Sequence, residues 1–328
     1  MPPTWRAIGA GVVAVLGLST ACNSGSLQEV APSPHRVTVT GISLGRGRVS
    51  GLAFDGGTIW VCSEVQGIGR TATLSAVDPD VGGTPRPSAK LRSCGLPLAA
   101  LGYLWIDGYR VDPATGRMVA LPFEGQPEAF LDGSLWMSGQ EGLVRIDPAT
   151  SRIQAVIFDQ PMDTFGRVVG MDGSVWFAVG DRVFRVDSAT NEVVATVTMT
   201  QHMASAMAAG EGSLWVAIGG EGTLLRIDPA TDRISATISS GAENLLDVVV
   251  AHGAVWAVGL QTIDGNSRER LWEIDPRTNR VVGRAVTIPV SGHAGVVAAA
   301  GSLWVGDGGA CRDAGPPRAR LFRIDIAP

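Results

Sequence analysis

GSLWVAIGGEGTLLRIDPAT, residues 212–231, contains two short alternating runs and a turn. Trp215 alternates with Leu214 and Val216 across Ser213–Ile218, and Thr223–Asp228 repeats the pattern. Period-two alternation bounded by Gly, Asp and Pro is the signal of paired strands. Pro229 cannot continue a ladder and sets the φ that a turn after Asp228 needs. Outward from this stretch, residues 203–209 lead in as a further strand, Glu211-Gly212 turns the chain, and Arg233–Ser239 closes the unit. The unit is therefore four strands, A to D.

The same unit recurs along the chain. Its tryptophans are Trp60, Trp105, Trp136, Trp176, Trp215, Trp256 and Trp304, and the paired aspartates are Asp78, Asp112, Asp147, Asp187, Asp228, Asp275 and Asp325. A period of roughly 40 residues built of short strands and turns predicts an all-β, seven-bladed β-propeller, one repeat per blade. The last repeat stops at a C strand, residues 321–326, with no D strand after it. Residues 36–44 (RVTVTGISL) are similar to the D strands at 280–289 and 192–200. They are expected to pair as the outer strand of the last blade, which removes the open edges of the ring. One domain, residues 36–328, follows.

The segment before it reads as targeting. Arg6 precedes an apolar run at residues 7–18, and Ser19-Thr20-Ala21 leads into Cys22. Twelve apolar residues suit a secretory signal better than a membrane span. Small residues before a cysteine resemble the lipobox of bacterial lipoproteins, although Leu18 stands one step further from Cys22 than usual. The expectation is a signal peptide at 1–21, a lipidated Cys22, and a polar tether to residue 35, with His35 solvated at its end. The protein would then be an exported, membrane-anchored lipoprotein on the extracytoplasmic side. Net charge is −5 without a basic block, so nothing recruits nucleic acid or an anionic membrane surface; the lipid would be the membrane contact. A monomer is expected. Export places Cys62, Cys94 and Cys311 in an oxidising compartment, where three thiols allow at most one internal pair. Cys62 and Cys94 map to the same face of neighbouring blades and form the expected disulfide.

Repeated residues are poor candidates for chemistry, because Trp packs between sheets and Asp caps its own turn. Exceptions to the repeat are better ones. From Trp to paired Asp the separations are 18, 7, 11, 11, 13, 19 and 21 residues. The long B–C loops therefore cluster on blades six, seven and one, building up one sector of the face that carries ligand sites in propellers. Blade two, in contrast, is nearly a bare hairpin with Asp107-Gly108 as a type I′ turn. Eleven residues before each Trp lie Val49, Cys94, Gly125, Phe165, Ala204, Leu245 and His293. Three after it lie Ser63, Gly108, Gly139, Val179, Ile218, Gly259 and Asp307. Blade seven alone pairs a histidine with an acid there. His293 and Asp307 suit a general base with its orienting partner, or a divalent-ion site, with His202 as the nearest further group. His252 lies in an A–B turn on the opposite face.

Gly212-Ser213-Leu214-Trp215-Val216 and Leu225-Arg226-Ile227-Asp228-Pro229-Ala230-Thr231 resemble the repeats of the streptogramin B lyase-like and related YVTN-type bacterial propellers. The resemblance covers residues 36–328. The lyases of that group open cyclic depsipeptides by elimination, with histidines, a glutamate and magnesium on the loop-bearing face. For this chain the resemblance implies His293 and Asp307 as the matching pair, with magnesium as cofactor if it is lyase-like. Asp307 stands where the lyases carry Glu, and Leu245 where a second His would stand. Two readings result: a tethered module binding a small molecule, peptide, glycan or envelope partner protein, or a lyase-like or hydrolytic enzyme. A binding propeller is the leading expectation, since one fold hosts many functions.

Overall fold

The computed structural model describes residues 33–65, 71–80, 85–91, 94–139, 142–158, 166–199, 203–309 and 318–327. The expected signal peptide, Cys22, His202 and Cys311 lie outside them. The strands form seven four-stranded antiparallel sheets. Each runs A-B-C-D in chain order except the last, in which Arg36–Arg46 lies beside Arg318–Ala327. That closing strand pairs antiparallel with Val39 opposite Ile324, and it extends two residues beyond the expected 36–44. In blade five the strands are Ala204–Gly210, Ser213–Ile218, Thr223–Asp228 and Arg233–Ser239, within one residue of the sequence reading.

The inner strands are Arg48–Phe54, Leu98–Ala100, Gln126–Leu131, Arg167–Met171, Ala204–Gly210, Asn244–Ala251 and His293–Ala299. Each touches the inner strands of both neighbouring blades, so the seven close a ring around one axis. The B strand of each blade is apolar at both parities because it faces two sheets. Trp215 and Ala217 pack with Val248, Val255 and Leu245 of blade six. The alternate residues, Leu214, Val216 and Ile218, pack with Trp176 and Val183 of blade four. Six of the seven repeat tryptophans, all but Trp60, are almost fully buried.

The turns follow from side-chain chemistry. Asp147 Oδ1 accepts from the backbone amides of Ala149 (2.8 Å) and Thr150 (3.3 Å), and Asp112 and Asp187 do the same in their blades. The amides hold the carboxyls of Asp112 and Asp187 below the usual carboxylate range, and for Asp147 the Thr150 hydroxyl leads and the amides add to it. In blade two, Asp107 and Gly108 both take positive φ, 47° and 75°, as a type I′ hairpin requires.

A second repeated contact locks one blade to the next. In blades three, four, five and seven the arginine two residues before the paired Asp lies over its own Trp and donates to the C–D turn of the following blade. In blade two Arg110 lies over Tyr103 and reaches the Pro148 carbonyl. Arg185 sits 5.4 Å from the Trp176 ring and donates to the Pro229 carbonyl (2.7 Å) and Asp232 (3.0 Å). Arg226 does the same with Trp215, Pro276 and Asn279, and Arg323 closes the ring from blade seven to the Pro79 carbonyl of blade one. Two blades depart: blade one carries Ala76 at the position and blade six Glu273. Blade seven, which follows blade six, has no C–D turn, because its D strand comes from the other end of the chain. Ser33 and His35, just before that strand, stand at the gap. Ser33 Oγ donates to Glu273 (2.5 Å), and His35 Nδ1 lies 2.7 Å from it. His35 is thus packed at the Trp256 ring and not solvated as the tether reading expects. A buried carboxylate there supplies a partner that the missing turn cannot.

Candidate functional site

The axis opens into a cavity of about 340 Å³ lined from six blades and the connection before blade two. Its lining depends on β-bulges in the inner strands. Pairing between A and B strands shifts between Val49 and Gly51, Pro127 and Ala129, Ala204 and Ala206, Leu245 and Asp247, and His293 and Val296. The extra residues are Ser50, Glu128, Ser205, Leu246 and the pair Ala294–Gly295, and every one lines the cavity. A bulge leaves one residue unpaired and re-aims it, here toward the axis.

His293 is the most constrained side chain in the channel. Its Nδ1 lies 2.9 Å from Glu269 Oε1 and its Nε2 3.0 Å from Asp247 Oδ2. Asp247 comes from the inner strand of blade six and Glu269 from the C strand Asn266–Asp275 of the same blade. Oδ2 of Asp247 also accepts from the Val296 amide and Oδ1 from that of Val248. Burial alone would lower the His293 pKa. Hydrogen bonds to Asp247 and Glu269, and their charges, outweigh it and raise the value to about 10. His293 is therefore an imidazolium at neutral pH with both nitrogens occupied. A general base needs a free lone pair near the working pH, and a metal ligand needs one too.

Opposite it in register lies Asp307, yet the two side chains part. Asp307 accepts from Arg320 Nη2 (2.6 Å) and Nε (2.9 Å) through Oδ2. Its Oδ1 takes the Ser291 amide and hydroxyl and the Gly309 amide. Fully buried, it organises the D–A connection into blade seven. The acids that face His293 are Asp247 and Glu269, not Asp307, whose two oxygens are taken up by Arg320, Ser291 and Gly309.

A second pair spans blades three and four. Arg167 Nε donates to the Ser205 carbonyl (2.8 Å), and its Nη1 stands 3.8 Å from Glu128 Oε1. Oε1 is buried without a hydrogen-bond partner among the described residues. Desolvation raises the Glu128 pKa to about 7, against Arg167 and the Val168 amide and with help from the Asp247 charge. Elsewhere on this face, Cys62 and Cys94 are bonded to each other with Cα atoms 5.6 Å apart, and Glu64 accepts from the Cys94 amide. The B–C hairpin of blade six rises to Ile263 and Asn266; the corresponding loops of blades seven and one are largely outside the described residues. Among the described residues no group of three or more His, Cys, Asp or Glu side chains is arranged to hold a metal ion.

Asp247, Arg167 and Glu128 were within reach of the comparison that found His293. Asp247 and Arg167 both lie nine residues before their Trp, where the other blades carry Gly51, Leu96, Pro127, Ala206 and Gly295. Glu128 lies eight before its own. Glu269 had no such signal, because it lies beyond a B–C loop whose length varies from blade to blade, so no fixed count from Trp reaches it.

Fold and site together define the class: a seven-bladed propeller with a charged, bulge-lined axial channel. A family model described as a repeat of unknown function (DUF6923) matches residues 168–262, which span blades four and five and part of six. No curated protein is matched. Among solved structures, the WD40 β-propeller domain of Doa1 aligns with a TM-score of 0.64 at 11% identity, covering 88% of this chain and 97% of that one. The computationally designed Ika8 protein aligns at 0.56 and 12%, covering 86% and 98%. Likeness at such identities shows the fold alone.

Proposed function

We propose that this protein is a binding module that takes its ligand at the axial channel, held on the extracytoplasmic side of a membrane by a lipidated Cys22. The anchoring rests on the residue 1–22 pattern. The observation that carries the binding reading is the channel itself. Charged and polar side chains from blades one and three to seven converge on one cavity, which lies in the range of about 300–1,000 Å³ typical of small-molecule sites. A small molecule, or one side chain of a peptide or partner protein, fits that volume.

Thermal-shift and calorimetric screens of the full chain with peptides, glycans and small metabolites test this. Plugging the channel rim with Leu96→Trp should abolish any binding found while the melting temperature stays within a few degrees. Binding unchanged by the plug would sink the channel reading. The lyase-like alternative retains His293 on the loop-bearing face, but as a cation locked by two carboxylates it is suited to orient or donate and not to abstract a proton. Ring opening of a cyclic depsipeptide by the purified protein, compared with and without magnesium, decides the matter, and clear turnover would overturn a binding-only role.

A further inference from the structure

The carboxylates of the channel are not equally available. Asp247 and Glu269 are committed to His293, and Asp247 also holds two backbone amides. Glu128 is the channel carboxyl with a buried, unpartnered oxygen. Facing it is the Arg167 guanidinium, half-exposed to the cavity, whose Nε is held by Ser205 while Nη1 stands 3.8 Å from Glu128 Oε1. That gap is too long for a hydrogen bond, yet a single oxygen placed about 2.8 Å from each atom bridges it.

We propose that the axial channel takes a small-molecule carboxylate, one oxygen of which sits between the Arg167 guanidinium and the Oε1 of the Glu128 carboxylic acid. The inference rests on the channel being a binding site and adds the chemistry of what it binds. Three features select a carboxylate over other ligands. The terminal nitrogens of Arg167 form a planar donor pair that matches a carboxylate in shape and charge. An ammonium group reaching Glu128 would sit beside Arg167 and be repelled by it. A neutral hydroxyl could accept from both groups, but it brings no negative charge to the Arg167 guanidinium when burial keeps Glu128 a neutral acid. With the proton on Oε1, Glu128 donates to the ligand oxygen, so the orphaned Oε1 gains a partner while Arg167 gains a counter-ion. The charged groups around this acid are Arg167 of blade four, Asp247 of blade six and His293 of blade seven. Asp107, at the hairpin of blade two, is reached through the Gln126 amide at 3.2 Å. As the His293 cluster carries one net negative charge, Arg167 is the cation left to meet an anion. Binding is then coupled to protonation of Glu128 and weakens as that acid ionises.

Titration calorimetry of the full-length protein with succinate, methylammonium and glucose tests the proposal. Succinate should bind, about tenfold more weakly at pH 8 than at pH 6, as follows for a required proton on a group titrating near 7. Arg167→Gln should abolish that binding. Glu128→Gln, whose amide still donates but cannot ionise, should retain it and flatten the pH profile. Unchanged melting temperatures separate lost binding from lost fold. Succinate binding that strengthens with pH, or a slope that survives Glu128→Gln, overturns the assignment. If glucose or methylammonium binds instead and depends on Arg167 and Glu128, the carboxylate is wrong while the channel remains a binding site. If no probe binds and ligands found by screening ignore the Leu96→Trp plug, both readings fail.

Discussion

The junction between blades four and five and the junction between blades six and seven are built on one plan with opposite charge. At the first, Arg185 stacks on Trp176 and reaches a turn carbonyl and Asp232. At the second, the same position holds Glu273, buried and paired with Ser33 and His35. The second junction also carries Glu269 on the same strand, four residues earlier, paired with His293 of blade seven. Two buried Glu–His contacts thus mark the one interface where the ring is closed by chain ends rather than by a turn. Repetition suffices where every blade offers the same turn to its neighbour. Where the turn is missing, a different polarity has to satisfy the exposed ends, and the site's constellation grows in that same sector.

Substitutions at the two junctions should separate these roles. The largest effect is expected at His293. His293→Phe strips Asp247 and the nearly fully buried Glu269 of their shared cation, and removing one member of a buried ionic group costs about 3–5 kcal/mol. Chemical denaturation reads this directly, and a loss under about 1 kcal/mol would show that the acids do not depend on the imidazolium. Next comes Glu273→Arg, which installs the usual residue of the repeat at the closing junction. With no turn carbonyl to meet and His35 beside it, the arginine should destabilise by ~2–4 kcal/mol. It should also expose residues 33–46 to proteolysis; a variant as resistant as the parent would mean that charge inversion is not what closes the ring.

A pH series sharpens the same contrast. Because the folded-state pKa of His293 is raised to about 10 from 6.5, the native state holds a proton that the unfolded chain releases earlier. That contribution is fully present below pH 6.5 and is lost as pH rises toward 10. Unfolding midpoints should therefore fall across this window in the parent and fall less in His293→Phe; parallel curves would contradict the protonated state. The smallest effect belongs to the repeated junction. Arg185→Ala removes hydrogen bonds and a ring contact at a partly exposed position, for about 1–2 kcal/mol. Double-mutant cycles with Asp232→Ala should show coupling there and none with Glu273.

Much of this was legible in the chain before folding. Trp spacing, Asp-Pro turns and the missing last D strand led to seven blades and to the N-terminal closing strand, and Asp107-Gly108 to its hairpin. His293 stood out as an exception to the repeat and does line the channel. Its partner was misread for a definable reason. Counting residues from Trp assigns Asp307 the place opposite His293, and the backbone register agrees. The contacts do not follow, because Arg320 and Ser291 take up the Asp307 carboxylate while His293 meets acids of blade six, and a count within one blade cannot anticipate partners on another. His35 was misread for a related reason. Its partner Glu273 is 238 residues away, and nothing local distinguishes a packed histidine from a solvated one.

Sequence alone therefore determined the number of blades, the order of the strands within them and the way the ring shuts, since these rest on short-range periodicity and turn chemistry repeated seven times over. Only the tertiary structure decided which charges meet. Pairing of His293 with Asp247 and Glu269, the gap between Arg167 and Glu128, and the docking of His35 on Glu273 all join different blades or chain ends. Such meetings depend on bulges and on closure of the ring around its axis, and no local pattern encodes either.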